Sequence, residues 1–209
     1  YWGYNEESFS RIGRCAETGG NVSAADAPRA SRVLLHAGNI FDFQNPPGLW
    51  KNVRREIDAG RPITIRFVGT VSPGIRRAIE ELGLSPFAEY KGFLPFDKMI
   101  EEMCGADFLF VCATEKRHVP GKLFEYLRAG KPVIAFGDDN EEVAGLLRSC
   151  NAGVLLPYSY DGSDLFSLLD AVRPDPSAAR LYSRARIAGQ LAAILDSQFI
   201  QRRRRREPD

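Results

Sequence analysis

From residue 119 to residue 136 the chain reads Val-Pro-Gly-Lys-Leu-Phe-Glu-Tyr-Leu-Arg-Ala-Gly-Lys-Pro-Val-Ile-Ala-Phe. Two periodicities meet in this stretch. Leu123, Phe124 and Leu127 recur at helical spacing, and Pro120 stands where a first helical turn tolerates a missing N–H. Gly130 then serves as a left-handed stop, and Pro132 forbids continuation. Residues 133–136 are all apolar and too few for a helix, so they are predicted as a strand covered on both faces. A strand of that kind belongs to a parallel sheet with helices packed over it, which leaves few folds open.

The same alternation runs through most of the chain. Strands are predicted at 33–37, 63–68, 88–91, 108–112, 133–136 and 153–156. Helices are predicted at 47–59, 73–82, 95–104, within 119–130, at 138–148, at 164–172 and at 176–196. Six strand–helix repeats with short connections imply an α/β, Rossmann-like, doubly wound parallel sheet of about six strands, with helices on both faces. Ligands of such sheets bind beyond the carboxyl ends of the strands. Chemistry is therefore expected in the turns that hold Gly38-Asn39, Gly69-Thr70, Gly92-Phe93-Leu94, residues 114–121 and Gly137-Asp138.

The polar residues of the 119–130 helix fit that location. Gly121 and Lys122 lie in its first turn, where free backbone N–H groups attract an anion and Lys122 adds a point charge. Glu125 is four residues beyond Gly121, roughly 6 Å further along the axis on the same face. That is about the offset between a nucleotide's phosphate and its ribose, whose hydroxyls a carboxylate accepts in other nucleotide sites. A Lys and a Glu on the solvated face of a capped helix would leave the same pattern, so spacing alone keeps both readings open.

The stretch resembles the donor-nucleotide segment of retaining GT-B glycosyltransferases of the family 4 type. The likeness is strongest to members carrying Pro-Gly-Lys-Leu-Phe-Glu-Tyr-Leu followed by a Gly-Lys-Pro-Val turn. The resemblance implies that the helix start, with Val119, Pro120, Gly121, Lys122 and Leu123, holds the diphosphate of a sugar nucleotide. It also implies that Glu125 binds the ribose and that Lys122 stabilises the leaving diphosphate. Gly38 is similar to the family's glycine after the first strand. Asn39 replaces the usual Arg, the nearest downstream basic residue is Lys51, and Gly69 closes the second strand. Gly92-Phe93-Leu94-Pro95 resembles the turn whose backbone meets the base, with Leu94 as an apolar wall. Many members carry a second glutamate eight positions before the first; here Arg117 stands there, with Glu115 and His118 nearby.

The implied reaction is transfer of a sugar from a nucleoside diphosphate sugar to an acceptor hydroxyl, with no cofactor and no metal. Residues 1–12 resemble the hinge-proximal opening of the family's second domain, through Gly3, Asn5 and Phe9, and residues 1–31 make up this segment and the Gly-, Ala- and Ser-rich loop that follows it. Residues 32–197 would be the nucleotide-sugar binding domain, and residues 198–209 a basic tail. An acceptor domain before residue 1 is then missing from the chain. A non-catalytic nucleotide-sugar binding module and a GT-B fold sugar-nucleotide epimerase are the alternatives.

Composition narrows the partners. A net charge of +1 gives no bulk attraction to nucleic acid. The local exception is the basic run from Arg202 to Arg206, which reads as a solvated tail or as a contact with an anionic membrane surface. The four cysteines, Cys15, Cys104, Cys112 and Cys150, form no Cys-x-x-Cys pair. Cys104, Cys112 and Cys150 are expected as small core hydrophobes in a reducing, cytoplasmic setting. No nucleophile–base–orienter set, Walker phosphate loop or Gly-x-Gly-x-x-Gly fingerprint is present, which places hydrolase, ATPase and dehydrogenase readings low.

Overall fold

The computed structural model describes residues 3–12 and 31–204. Its centre is a six-stranded sheet: β1 (Arg32–Ala37), β2 (Ile63–Val68), β3 (Ala88–Tyr90), β4 (Phe108–Cys112), β5 (Val133–Phe136) and β6 (Gly153–Leu156). The strand order is β3-β2-β1-β4-β5-β6, and every pairing is parallel. This is the doubly wound order, in which the winding reverses between β1 and β4. The expected α/β class and six-stranded parallel sheet are therefore observed.

Helices lie on both faces: α1 (Glu6–Ser10), α2 (Pro47–Asp58), α3 (Pro73–Glu81), α4 (Phe96–Gly105), α5 (Lys122–Ala129), α6 (Glu141–Ser149), α7 (Leu165–Ala171), α8 (Pro176–Ala179) and α9 (Arg184–Arg204). Two apolar layers fill the space between sheet and helices. One gathers Leu35, Leu109, Val111, Leu123, Phe124 and Ala135 under α4, α5 and α6. The other gathers Leu34, Trp50, Ile65, Phe67, Phe110 and Phe136 under α2, α3 and α7. Strand residues alternate between the layers because successive side chains point to opposite faces.

Some boundaries differ from expectation. Pro120 lies before α5 rather than in its first turn, and Gly121 is the cap. The sixth helix starts at Glu141, because the Asn140 side chain accepts the Val143 N–H and caps it there. The single helix expected over 176–196 is two helices, parted by a 3-10 turn at Arg180–Tyr182 and extended backbone at Ser183. Ser183 bridges to Tyr4, which seats the N-terminal segment. Gly3 takes φ +64°, and a Cβ there would meet the Tyr182 carbonyl at 2.6 Å. Glu6 forms a forked ion pair with Arg128 of α5 at 2.6 Å, and Tyr4 and Phe9 are fully buried. α9 runs past position 197 to Arg204, so the helix continues into the segment read as a tail. Cys15, most of the loop before β1 and the end of the arginine run lie outside the described residues.

Cys112 and Cys150 are free thiols. Cys104 is disulfide-bonded, which corrects its reading as a free small hydrophobe. Among the described residues, no helix is long and apolar enough to cross a membrane, and no cluster of His, Cys, Asp and Glu could hold a metal ion.

Candidate functional site

The site forms where β1 and β4 part. Their register covers only Leu34↔Phe108 and Leu35↔Leu109. Beyond it, the ladder no longer serves the Ala37 N–H or the Phe110 carbonyl, and buried backbone groups need partners. Side chains take over. The Tyr126 hydroxyl of α5 accepts the Ala37 N–H at 2.8 Å, and His36 Nδ1 lies 3.0 Å from the Phe110 carbonyl. Tyr126 thereby fixes the start of α5 over the gap at the carboxyl edge of the sheet.

Lys122 is one turn before Tyr126 and so shares its face. Its Nζ lies 3.2 Å from His36 Nε2. A Cβ on Gly38 would stand 2.7 Å from that Nζ, and Gly38 also takes φ +102°. The positive φ favours glycine at this turn, and the space over its Cα is where the Lys122 ammonium sits. Burial pushes the Lys122 ammonium down to about 8, with the Cys112 thiol acting in the other direction. Among the described residues, Lys122 has no carboxylate partner. Burial, and then the Lys122 charge, push His36 down to about 3, so its imidazole is neutral. A neutral ring whose Nδ1–H donates to Phe110 presents a lone pair at Nε2, which is what an ammonium needs.

Glu125 is 8 % exposed. Burial raises its carboxyl above the usual range, opposed by its own backbone N–H and by the charge of Arg184. No other residue donates a hydrogen bond to it among those described. The reading of Lys122 and Glu125 as a solvated surface pair therefore fails. The chain holds a half-buried cation without a counter-anion and, three residues on, a buried carboxylate without an external donor.

The other expected residues sort into three groups. Gly38, Asn39 and Gly69 form one knot of turns: Asn39 Oδ1 accepts the Thr70 N–H at 3.1 Å, and Gly69 N–H donates to the Gly92 carbonyl at 2.7 Å. A Cβ on Gly69 would meet the Gly38 carbonyl at 2.6 Å, so that glycine is required by the approach of backbone to backbone. Val119, Pro120 and Gly121 lead into α5; Pro120 is buried and Gly121 exposed. Leu123 is core. Phe93 is 78 % exposed on the turn after β3, while Leu94 packs partly against the core.

Three contributors had no local sequence signal. His36 lies inside the strand predicted at 33–37, where nothing marks it as part of a site. Tyr126 was one letter in a motif. Asn140 is fully buried, and its Nδ2 donates to the Glu115 and His118 carbonyls at 2.6 and 3.0 Å, pinning the loop that leads to Lys122.

The fold is a doubly wound, Rossmann-like α/β sheet. No protein-family model matches the chain, and no curated protein sequence matches it. Solved structures do. The Anabaena protein HepE, crystallised with UDP and glucose, superimposes with a TM-score of 0.61 at 18 % identity, covering 80 % of this chain and 49 % of its own. Sucrose-phosphate synthase from Thermosynechococcus elongatus gives 0.62 at 15 % identity, covering 95 % and 52 %. WaaG, a glycosyltransferase involved in lipopolysaccharide biosynthesis, gives 0.51 at 17 % identity, covering 84 % and 42 %. The chain thus spans about half the length of these neighbours, and at such identities the likeness is one of fold.

Proposed function

We propose that this chain is the donor-binding domain of a retaining GT-B glycosyltransferase of the family 4 type, and that its ligand is a nucleoside diphosphate sugar. The observation that carries the reading is the pair of unmatched charges on α5. A nucleoside diphosphate is the complement of both. Its diphosphate answers the Lys122 ammonium and the Gly121 and Lys122 N–H groups, which have no partner among the described residues. Its ribose hydroxyls are the donors that the Glu125 carboxylate lacks.

In this reading Gly38, Asn39 and Gly69 bring backbone close to the phosphates. Val119, Pro120, Gly121 and Leu123 shape the helix start, and Phe93 and Leu94 border the base. The HepE fold, seen with UDP and glucose and with UDP-glucose, supports the same ligand class. Lys122 meets charge that develops on the departing diphosphate, and no metal or organic cofactor takes part. Transfer to an acceptor hydroxyl needs a second, acceptor-binding domain of comparable size. A contact of the arginine run with an anionic membrane surface belongs to the same proposal.

Calorimetric titration with UDP, ADP, GDP and the parent nucleosides tests it. One diphosphate should bind, and its nucleoside should bind at least tenfold more weakly. At a hundred times its dissociation constant that diphosphate should add about 2.7 kcal/mol to stability. Failure of all three to bind or to raise the melting temperature would overturn the reading.

A further inference from the structure

His36 is a costly residue to bury. It is 1 % exposed, its ring lies 4.7 Å from the Phe110 ring, and a Val or Leu would fill a strand position without a polar atom to satisfy. Its two nitrogens nevertheless have distinct partners. Nδ1 is 3.0 Å from the Phe110 carbonyl. Nε2 is 3.2 Å from Lys122 Nζ and 3.4 Å from the Asn39 carbonyl. Placing the proton on Nε2 would set a bare Nδ1 against the closer carbonyl and leave the ammonium without an acceptor. The partners therefore select the Nδ1–H tautomer.

A carboxylate at this place would also anchor Lys122, but it would cancel the charge. An imidazole lone pair takes one of the three ammonium protons and leaves the charge and two N–H donors free. We propose that His36 is a positioning residue for Lys122: it holds the ammonium over Gly38, through Nε2, in the orientation that meets a diphosphate. The proposal deepens the donor-binding reading and rests on it for the identity of the ligand. Around Nζ the titratable neighbours are His36 of β1 and the Cys112 thiol of β4, with the Tyr158 hydroxyl beyond the thiol. Cys112 is pushed up to about 11 by burial and stays neutral at physiological pH, so His36 is the neighbour that can steer the ammonium.

Two substitutions separate anchoring from steering. His36→Asn keeps a donor for Phe110, since its amide nitrogen replaces Nδ1, but has no acceptor facing Lys122. His36→Gln can place an amide oxygen near Nε2 and gives up the Phe110 bond. UDP, ADP, GDP and the parent nucleosides are titrated against both variants and the native chain. His36→Asn should weaken the bound diphosphate by about tenfold, the size of one lost hydrogen bond to a charged group, and leave its nucleoside unchanged. His36→Gln should stay within about threefold of native on both. Equal losses on diphosphate and nucleoside in both variants would mark a structural role only and overturn the proposal.

A second readout needs no ligand and no variant. Long-range proton–nitrogen correlation on the native chain at pH 7 should show His36 protonated at Nδ1 and bare at Nε2. An Nε2–H tautomer, or an imidazolium, overturns the proposal even if a diphosphate binds. If no diphosphate binds, the donor reading falls. The Lys122 titration in His36→Asn then decides whether Nε2 acts on Lys122: it should move to lower pH than in the native chain, and an unmoved titration refutes the contact.

Discussion

Two helices begin at the carboxyl edge of this sheet and treat their first turns in opposite ways. At α3, Asp42 reaches across from the turn after β1. Its carboxylate accepts from the Ser72 hydroxyl and, at 2.8 Å, from the Gly74 N–H. A Cβ on Gly74 would meet that oxygen at 2.5 Å, so the helix start is filled by the chain's own anion. At α5 the cap is Gly121, which offers no side chain. A cation stands beside that start, and the one carboxylate on the helix faces no external donor. At α3 a side-chain carboxylate answers the helix start. At α5 the Leu123 and Phe124 N–H groups fall back on the Pro120 and Gly121 carbonyls at 2.9 and 3.1 Å, and those of Gly121 and Lys122 meet no partner among the described residues. A helix start becomes informative about a ligand when the chain has declined to cap it and has added charge of the matching sign.

The largest effect that can break this contrast is the loss of the α5 cation. Lys122→Met should weaken nucleoside diphosphate binding by about a hundredfold, since hydrogen bonds to charged groups contribute roughly 1.5–3 kcal/mol and this one meets a dianion. The nucleoside should bind as it does to the native chain. Equal losses for diphosphate and nucleoside by calorimetry would remove Lys122 from the phosphate site. Glu125→Ala comes next, with about a tenfold loss on the ribose form. A 2′,3′-dideoxy analogue should lose much less. A native ratio between the two forms would sink the ribose assignment.

Asp42→Ala tests the other side. It empties the α3 cap without adding charge, so it should lower the melting temperature by about 2–4 °C, as loss of a helix cap does in a chain of this length. Nucleotide affinity should not change. The Asp42 carboxyl is held below its ordinary 3.8 first by the Ser72 hydroxyl and then by backbone N–H groups. The difference between native and variant chains should therefore be full above that value and close as pH falls through the lower folded one. A fall in diphosphate affinity equal to that of Lys122→Met would mean that both starts serve one site.

Much of the sheet was legible because its strands are apolar runs bounded by Gly, Pro or charge. The runs at 63–68, 108–112, 133–136 and 153–156 are strands with those bounds. Helix starts were less legible. The start of α6 is set by the buried Asn140, whose side chain accepts the Val143 N–H while also holding a distant loop. The break at Ser183 depends on Tyr4 lying alongside, a contact across almost the whole chain. At the site, Lys122 and Glu125 were legible from spacing, but their burial was not. His36 and Tyr126 were invisible for a deeper reason: they act on backbone groups exposed where β1 and β4 part, and no local pattern encodes that divergence.

The smallest effect sharpens the comparison furthest. A residue kept for a ligand should cost the free chain something, and Glu125 should do so. Its carboxyl is raised by burial, so the folded chain prefers the protonated form. Stability is then full below the unfolded value of 4.5, falls as pH rises through the folded value, and stays reduced at neutral pH. Glu125→Gln removes the charge and keeps the shape. It should raise the melting temperature of the ligand-free chain at pH 7 by about 1–2 °C and leave it unchanged at pH 4. Saturating nucleoside diphosphate should reverse the order, because the native carboxylate accepts two ribose hydroxyls where the amide oxygen accepts fewer. If Glu125→Gln is instead less stable at pH 7 without ligand, the charge of Arg184 already satisfies the carboxylate. Glu125 would then belong with Asp42, as a group the fold keeps for itself.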